Sequence, residues 1–256
     1  MTKPDERATS SRAILVVAGV SALLAAIVFR RWLSAEFHML QAMGTIHLDV
    51  PTEASSPSSW FAFIHSHRAV GLLLLNAFDL VNYVLVAFAY FGIYSVLRQA
   101  RRESMQLAIG LMVLGLSAHL ASNQAFNLIS LSDQYSSATD PNARSLILSA
   151  GQTALGLNDP TTFGTGLFWS YIALYLAGLL ISLAMLQTRL FGKWTASFGI
   201  AANMFGLGYF FTSAFAPSLS VIPAIGSAPC NLVWYVLSGL RLLGVAKERG
   251  YRPSQQ

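Results

Sequence analysis

Asp79 stands about ten residues into a long apolar stretch that begins at residue 69. If that stretch is a helix crossing a bilayer, a rise of about 1.5 Å per residue puts its carboxyl roughly 15 Å deep, near the midplane. An ionisable group there costs on the order of 3 kcal/mol, so it should face other helices and hold a partner. Asn76, Asn82 and Tyr83 lie three and four positions away, and Asn76, Asp79 and Tyr83 share one helix face. A carboxyl so placed could serve as a satisfied hydrogen-bonding group or as a proton-linked site.

The next apolar stretch carries His119, Asn123 and Asn127 at four-residue spacing, a polar stripe that continues to Ser130. Two neighbouring helices would then offer facing polar strips. Tyr171, Tyr175 and Ser182, then Asn203, then Asn231, Tyr235 and Ser238 add polar groups to three later stretches. If these converge, they line a cavity that orients a small lipophilic molecule through a few hydrogen bonds in a mostly apolar wall. The same residue types also hold helices together, at about 0.6 kcal/mol per interhelical hydrogen bond on average. Spacing alone does not separate the two uses.

The histidines pose a second chemistry. His38, His47, His65 and His67 fall in one polar segment or at its edge, with Asp49 and Glu53 close to His47. A His-x-His at 65 and 67 on a strand or turn, joined by His47 or Asp49, could ligate zinc or copper. Solvated imidazoles in a loop account for the same residues, and no cofactor is expected. There is no Gly-rich phosphate loop, no Gly-x-Ser-x-Gly elbow and no His-Glu-x-x-His helix. Only His119 lies well inside an apolar stretch, so the histidine pair that would hold haem between helices is missing. The lone Cys230 excludes an intrachain disulfide and a thiolate metal cage.

The elements that must position these side chains are membrane helices. Of 256 residues, 54% are hydrophobic and 11% charged, against about 25% charged in a soluble domain. Apolar segments near residues 13–29, 69–97, 105–131, 162–187, 195–215 and 229–246 are each about as long as the roughly 20 residues a span requires. Helices satisfy their backbone groups internally where lipid offers no partner, which excludes open strands. The expected fold is all-α: one transmembrane domain over 1–256, a polytopic bundle of six helices with outer loops at 33–68 and 132–160.

Charge sets the expected orientation. With the amino terminus inside, Lys3, Arg7, Arg12, Arg98, Arg101, Arg102, Arg189, Lys193, Arg241, Lys247, Arg249 and Arg252 are cytoplasmic. Arg30, Arg31, Arg68 and Arg144 remain outside, an asymmetry that predicts both termini in the cytoplasm. The net charge of +5 is dispersed in short clusters between apolar runs, which argues against a nucleic-acid partner. The first span reads as an uncleaved anchor, because its apolar run is long for a signal peptide and no small-x-small site precedes Arg30.

In the outer loops, Trp60, Phe61 and Phe63 suit the headgroup level. Asp140 before Pro141 predicts a capped helix to about Leu155. Asn158-Asp159-Pro160 repeats the device ahead of the fourth span, and Pro217, Pro223 and Pro229 make the last outer turn.

The second half joins an apolar span to the basic hairpin Thr188-Arg189-Leu190-Phe191-Gly192-Lys193-Trp194, then to a span bearing Gly199, Gly206 and Gly208. A Pro-rich turn and a final helix with Trp234, Gly239, Leu242, Leu243 and Gly244 follow. With the Asp79 span and its basic exit at Arg98 to Arg102, this resembles an uncharacterised bacterial six-helix membrane protein family, catalogued as a domain of unknown function (four-three-eight-six). The resemblance covers most of the chain from residue 69 onward and implies a bacterial inner-membrane bundle, without a reaction to transfer.

Three functions follow from the residues. The first is a protein that binds or carries a small lipophilic molecule between the second, third, fourth and sixth spans, using Asp79, Asn76, Tyr83, His119, Asn123, Asn127, Tyr175, Asn231 and Tyr235. The second is a membrane-embedded enzyme acting on a lipid or isoprenoid, with Asp79 as acid or the outer histidines on a metal. The third is a scaffold that docks another membrane protein through Gly164, Gly166, Gly206 and Gly208.

Overall fold

The computed structural model describes residues 4–28, 51, 55–75 and 77–250. Every regular element among them is helical: α1 (Pro4–Val28), α2 (Pro57–Ser66), α3 (Arg68–Leu74), α4 (Ala77–Leu97), α5 (Arg102–Ser122) and α6 (Ala125–Ser137). There follow α7 (Pro141–Asn158), α8 (Gly166–Thr188), α9 (Lys193–Phe215), a 3-10 turn (Pro217–Leu219) and α10 (Val221–Gly250).

Five stretches are long and apolar enough to cross a membrane: Asp79–Leu97, Arg102–Ser137, Gly166–Thr188, Lys193–Phe215 and Val221–Arg249. A shorter one, Arg12–Val28, lies in α1. Phe88, Phe91, Leu107, Leu114, Met204 and Phe211 are exposed, whereas Asn82, Ser182, Asn203, Asn231 and Ser238 are buried. Water would reward the opposite arrangement; hydrocarbon permits it, because its contact with Phe and Leu costs nothing and polar groups find partners inside.

Several expected boundaries are corrected. The stretch 69–97 is two helices, since α3 ends at Leu74 and α4 begins at Ala77. The stretch 105–131 is likewise interrupted at Asn123 and Gln124, where the Asn123 side-chain oxygen accepts from Ala125 N–H (3.0 Å) and competes with the helical ladder. One side chain serves both interruptions. Asn158 donates its amide to the Leu75 carbonyl (3.0 Å) and accepts from Gln124 N–H (2.8 Å), so backbone groups released at each break stay bonded.

The caps divide similarly. Asp140 caps α7 as expected, accepting from the N–H groups of Asn142 and Ala143. Asp159, however, does not launch the fourth span. Its carboxylate binds Thr161 and Thr162 in a local turn, and Thr165 caps α8 by accepting from Phe168 N–H. Nor do Pro223 and Pro229 form a turn. Helix α10 already starts at Val221, with Pro223 in its first turn and Pro229 within it; a proline in the first turn removes an N–H that has no helical partner in any case.

The described residues form two compact units. The first holds residues 4–28, 82–116 and 172–250. Its core includes Leu15, Ile93, Leu97, Met105, Met185, Trp234 and Leu242. Helices α1 and α10 meet glycine to glycine, since a Cβ built on Gly239 would lie 2.9 Å from the Gly19 carbonyl oxygen. Such a backbone approach needs small residues, and Ala18 meets Gly92 in the same manner. At the basic hairpin, Arg189 adopts a positive φ of 56° after α8, and Arg241 donates to the Leu190 carbonyl (2.8 Å).

The second unit holds residues 55–75, 77–81 and 117–171. Phe61, Ile64, Leu75, Ala125, Leu128 and Ala154 make its core. Gly151 leaves room for the Phe61 ring, Ser132 donates to the Phe61 carbonyl (2.8 Å), and Arg68 pairs with Asp133 at the surface.

Candidate functional site

Polar side chains gather in two places, one in each unit. In the second unit Asp79 is the third residue of α4 and not a mid-helix group, because the helix begins at Ala77. The positive end of the helix dipole therefore faces its carboxyl. The Tyr171 hydroxyl donates to Asp79 Oδ2 at 2.6 Å, a short bond. The Tyr171 ring meets the buried His119 edge-on, with centroids 5.4 Å apart. His119 Nδ1 lies 3.3 Å from Ser170 Oγ, whose own proton goes to the Leu167 carbonyl (2.6 Å). Ser170 thus accepts from the imidazole, which places the ring proton on Nδ1.

The stripe expected to continue this cluster does not do so. Asn123 accepts from Ala125 N–H just ahead of α6, and the exposed Asn127 donates to Gln124 Oε1 (3.0 Å). Both are spent on the break between α5 and α6. Asn76 lies outside the described residues.

The first unit contains an unfilled space. A pocket of about 20 Å³ is lined by Asn82, Tyr83, Val86 and Tyr90 of α4. Leu174 and Tyr175 of α8, Asn203 of α9, and Asn231 and Tyr235 of α10 complete it. Four of the expected ligand residues meet here: Tyr83, Tyr175, Asn231 and Tyr235. Asp79, His119, Asn123 and Asn127 do not line it, and the fifth span replaces the third in its wall.

Glycines make the space usable. A Cβ at Gly178 would collide with Asn203 Oδ1 and the Tyr90 hydroxyl, and one at Gly206 with the Tyr175 ring. Trp234 backs the pocket, stacked on Tyr235 (centroids 5.3 Å apart) and edge-on to Tyr90 (5.9 Å).

The amide groups are oriented with a bias. Asn203 donates its NH₂ to the Gly199 carbonyl (2.7 Å), and Asn231 donates to the Ser227 carbonyl (3.0 Å) and hydroxyl (3.1 Å). Asn231 has its oxygen left for the pocket, and Asn203 its oxygen and one N–H. Asn82 is only 4% exposed, and its Oδ1 is fully buried without a hydrogen-bond partner among the described residues. Leaving such an acceptor unmet costs about 1–3 kcal/mol. No protein-family model, curated protein or solved structure matches this chain. What the pocket does must be read from its own side chains.

A volume of about 20 Å³ admits one water-sized group, for which about 10–15 Å³ suffices. Pockets that engulf a drug-sized ligand reach about 300–1,000 Å³. A whole lipophilic molecule does not fit inside, but its polar end does, and the half-buried Tyr83 and Tyr175 lead from the pocket to the protein surface.

The histidine proposal changes as well. His65 lies in the last turn of α2 and His67 at the non-helical junction with α3, both exposed, so the pair is at a turn between helices and not on a strand. His67 packs on Phe63 (centroids 5.2 Å). Among the described residues no group of three could hold a metal ion. His47 and Asp49 lie outside them.

Asn82, Asn203 and Tyr90 complete the pocket. The spacing Asn82, Val86, Tyr90 was the available signal for Tyr90, since four-residue steps keep to one helix face.

Proposed function

We propose that this chain is a multi-pass protein of a bacterial cytoplasmic membrane that binds or carries a small lipophilic molecule, seating its polar end in the Asn82 pocket. The space enclosed by seven Asn and Tyr side chains of α4, α8, α9 and α10 carries the proposal. Polar groups in hydrocarbon need partners, because an unmet group is costly there, and a space lined by amides and phenols offers them to the polar end of a ligand. In this scheme Arg12–Val28 supplies a sixth crossing, at the lower limit of about 17 residues for a span. The excess of Lys and Arg near the amino terminus, the basic hairpin and the carboxyl end orients both termini to the cytoplasm. The six-helix membrane family that the sequence resembles is the proposed kinship.

The alternatives draw less support. Asp79, the acid required for an enzyme on lipid, is held by Tyr171 and does not line the pocket. Of the glycines proposed to dock a partner, Gly166 accommodates Ser122 and Gly206 accommodates Tyr175 within their own units.

The test is native mass spectrometry of the full chain released from lipid nanodiscs. Wild-type protein retains a small molecule, and Asn231→Leu and Tyr235→Leu reduce its occupancy while Asp79→Asn retains it. Equal occupancy in all four proteins would overturn the proposal.

A further inference from the structure

We infer that the basic end of the first unit is a docking surface for the headgroup phosphates of anionic phospholipids. The assignment uses the membrane placement proposed above and is independent of what the pocket holds. In this unit residues 13–28, 82–97, 104–116, 172–188 and 194–240 contain no Lys, Arg, Asp or Glu. The charge of its described residues is therefore confined to four segments: the start of α1, the turn from α4 to α5, the hairpin from α8 to α9, and the last turns of α10. The first is balanced, with Asp5 and Glu6 against Arg7 and Arg12. The other three hold eight Lys and Arg against Glu103 and Glu248.

Folding brings these three segments to one end. A Cβ at Gly178 would touch both the Tyr90 hydroxyl and Asn203 Oδ1, so α4, α8 and α9 meet there. Arg98, Arg189 and Lys193 lie eight, eleven and ten residues away from that level along their own helices, or roughly 12 to 16 Å. Helix α10 joins them: a Cβ at Gly92 would lie 3.6 Å from Leu242 Cδ1, and Arg241 donates to the Leu190 carbonyl inside the hairpin (2.8 Å).

Aromatic rings mark the depth. The Arg98 guanidinium lies over the Tyr94 ring (5.9 Å), and the Lys193 ammonium over the exposed Trp194 (5.6 Å). Tyr and Trp settle at the headgroup level of a bilayer, so cations resting on them are at the depth of the lipid phosphates. Arg101, Arg102, Arg189 and Lys247 are exposed, and their side chains form no ion pair among the described residues. Glu248, by contrast, is engaged by Arg241 (3.0 Å). A cluster of four to eight Lys and Arg at a membrane surface attracts anionic lipid.

Orientation during insertion requires only that these segments be basic. Arg189 goes further, since it carries its charge on the left-handed backbone (φ 56°) that glycine adopts more easily. Glycine there would ease the turn and forfeit the cation.

The test uses the full chain in detergent micelles, with native mass spectrometry reading the retention of phosphatidylglycerol and of phosphatidylcholine with the same acyl chains. Phosphatidylglycerol should be retained at least about tenfold more strongly. One cation at an anionic surface is worth about fivefold, so the double variant Arg101→Gln with Arg102→Gln should remove most of the preference. Arg189→Gly should weaken it about fivefold while the melting temperature in phosphatidylcholine holds or rises, a split that a purely structural role for Arg189 would not produce. Arg144→Gln, in the other unit, should leave the preference as it is.

Equal retention of the two lipids would overturn the assignment, as would a preference that survives both the double variant and Arg189→Gly. An equal loss in Arg144→Gln would overturn it too, by showing that any surface charge suffices. Displacement of phosphatidylglycerol by millimolar inorganic phosphate would contradict it by making the surface a site for free anions. None of these outcomes touches the pocket, whose occupant is read separately with Asn231→Leu and Tyr235→Leu.

Discussion

The two polar regions of this protein use the same vocabulary of Asn, Tyr, Ser and carbonyl groups to opposite ends. Around Asp79 the groups bond chiefly to one another: Tyr171 donates to Asp79, His119 to Ser170, Ser170 to Leu167. Asn158 joins the two helix breaks of the same unit. Around Asn82 the amides of Asn203 and Asn231 bond within their own helices, and a space lined by Asn and Tyr side chains remains. A buried charged residue draws the eye, yet in hydrocarbon the closed network is the one that holds a fold together. The neutral, incompletely bonded pocket is where binding free energy is still available.

The sharpest way to break this contrast is to open the closed region. Asn158→Ala removes a donor to Leu75 and an acceptor from Gln124 at once, and should destabilise the protein by about 2–6 kcal/mol, from about 1–3 for each group left unmet. Unfolding in mild detergent, followed by loss of helical circular dichroism, measures it. A loss below about 1 kcal/mol would mean that the helix breaks hold without this bridge.

Asp79→Leu comes next. It deprives the Tyr171 hydroxyl of its short acceptor and should cost about 2 kcal/mol, whereas Asp79→Asn, which keeps an acceptor oxygen, should cost about 1 kcal/mol or less. The same unfolding curves compare the pair. Equal losses in the two variants would show that the carboxylate charge, and not the acceptor, matters at this site.

Gly178→Ala probes the packing against Asn203 and Tyr90, two of the pocket's lining residues. Its Cβ would collide with Asn203 Oδ1 and the Tyr90 hydroxyl, so overpacking should cost about 1–3 kcal/mol and should also abolish ligand retention. Unfolding and mass spectrometry on one preparation read both effects. The smallest stability change is expected at Asn82→Leu: about 1 kcal/mol or less in either direction, because no protein donor is lost and an unmet oxygen is removed. Binding should nevertheless fail. Stability and binding thus separate at Asn82 and travel together at neither Asn158 nor Asp79.

The parts of this design that were legible in the sequence are those fixed by local chemistry or by bulk composition. Apolar stretches of span length and the Asp140–Pro141 cap depend on residues within a few positions of one another, and the structure has both. The breaks at Leu75 and Asn123 were hidden because hydropathy averages over about 19 residues and cannot register one interrupted turn. Their cause is also non-local: Asn158 lies 83 residues from Leu75 and 34 from Gln124. With the first break unseen, Asp79 seemed to lie at mid-helix when it opens one.

Phase was the second obstacle. Asp79 and Asn82 are three residues apart, about 60° around a helix, and both are buried. Which of them faces a cavity depends on the neighbours, and the neighbours of Asn82 are set by glycines at 178 and 206 whose value lies in what they leave empty. Composition marks such glycines as small; only packing shows that they admit Asn203, Tyr90 and Tyr175.

A density map of the full chain in lipid nanodiscs, at a resolution that defines side chains, is the most direct measurement. It should show non-protein density in hydrogen-bond contact with the Asn and Tyr side chains that line the Asn82 pocket, and Asp79 bonded to Tyr171 with nothing between them. Density seated against Asp79 together with an Asn82 bonded to a protein donor would reverse the roles of the two regions and contradict the proposal.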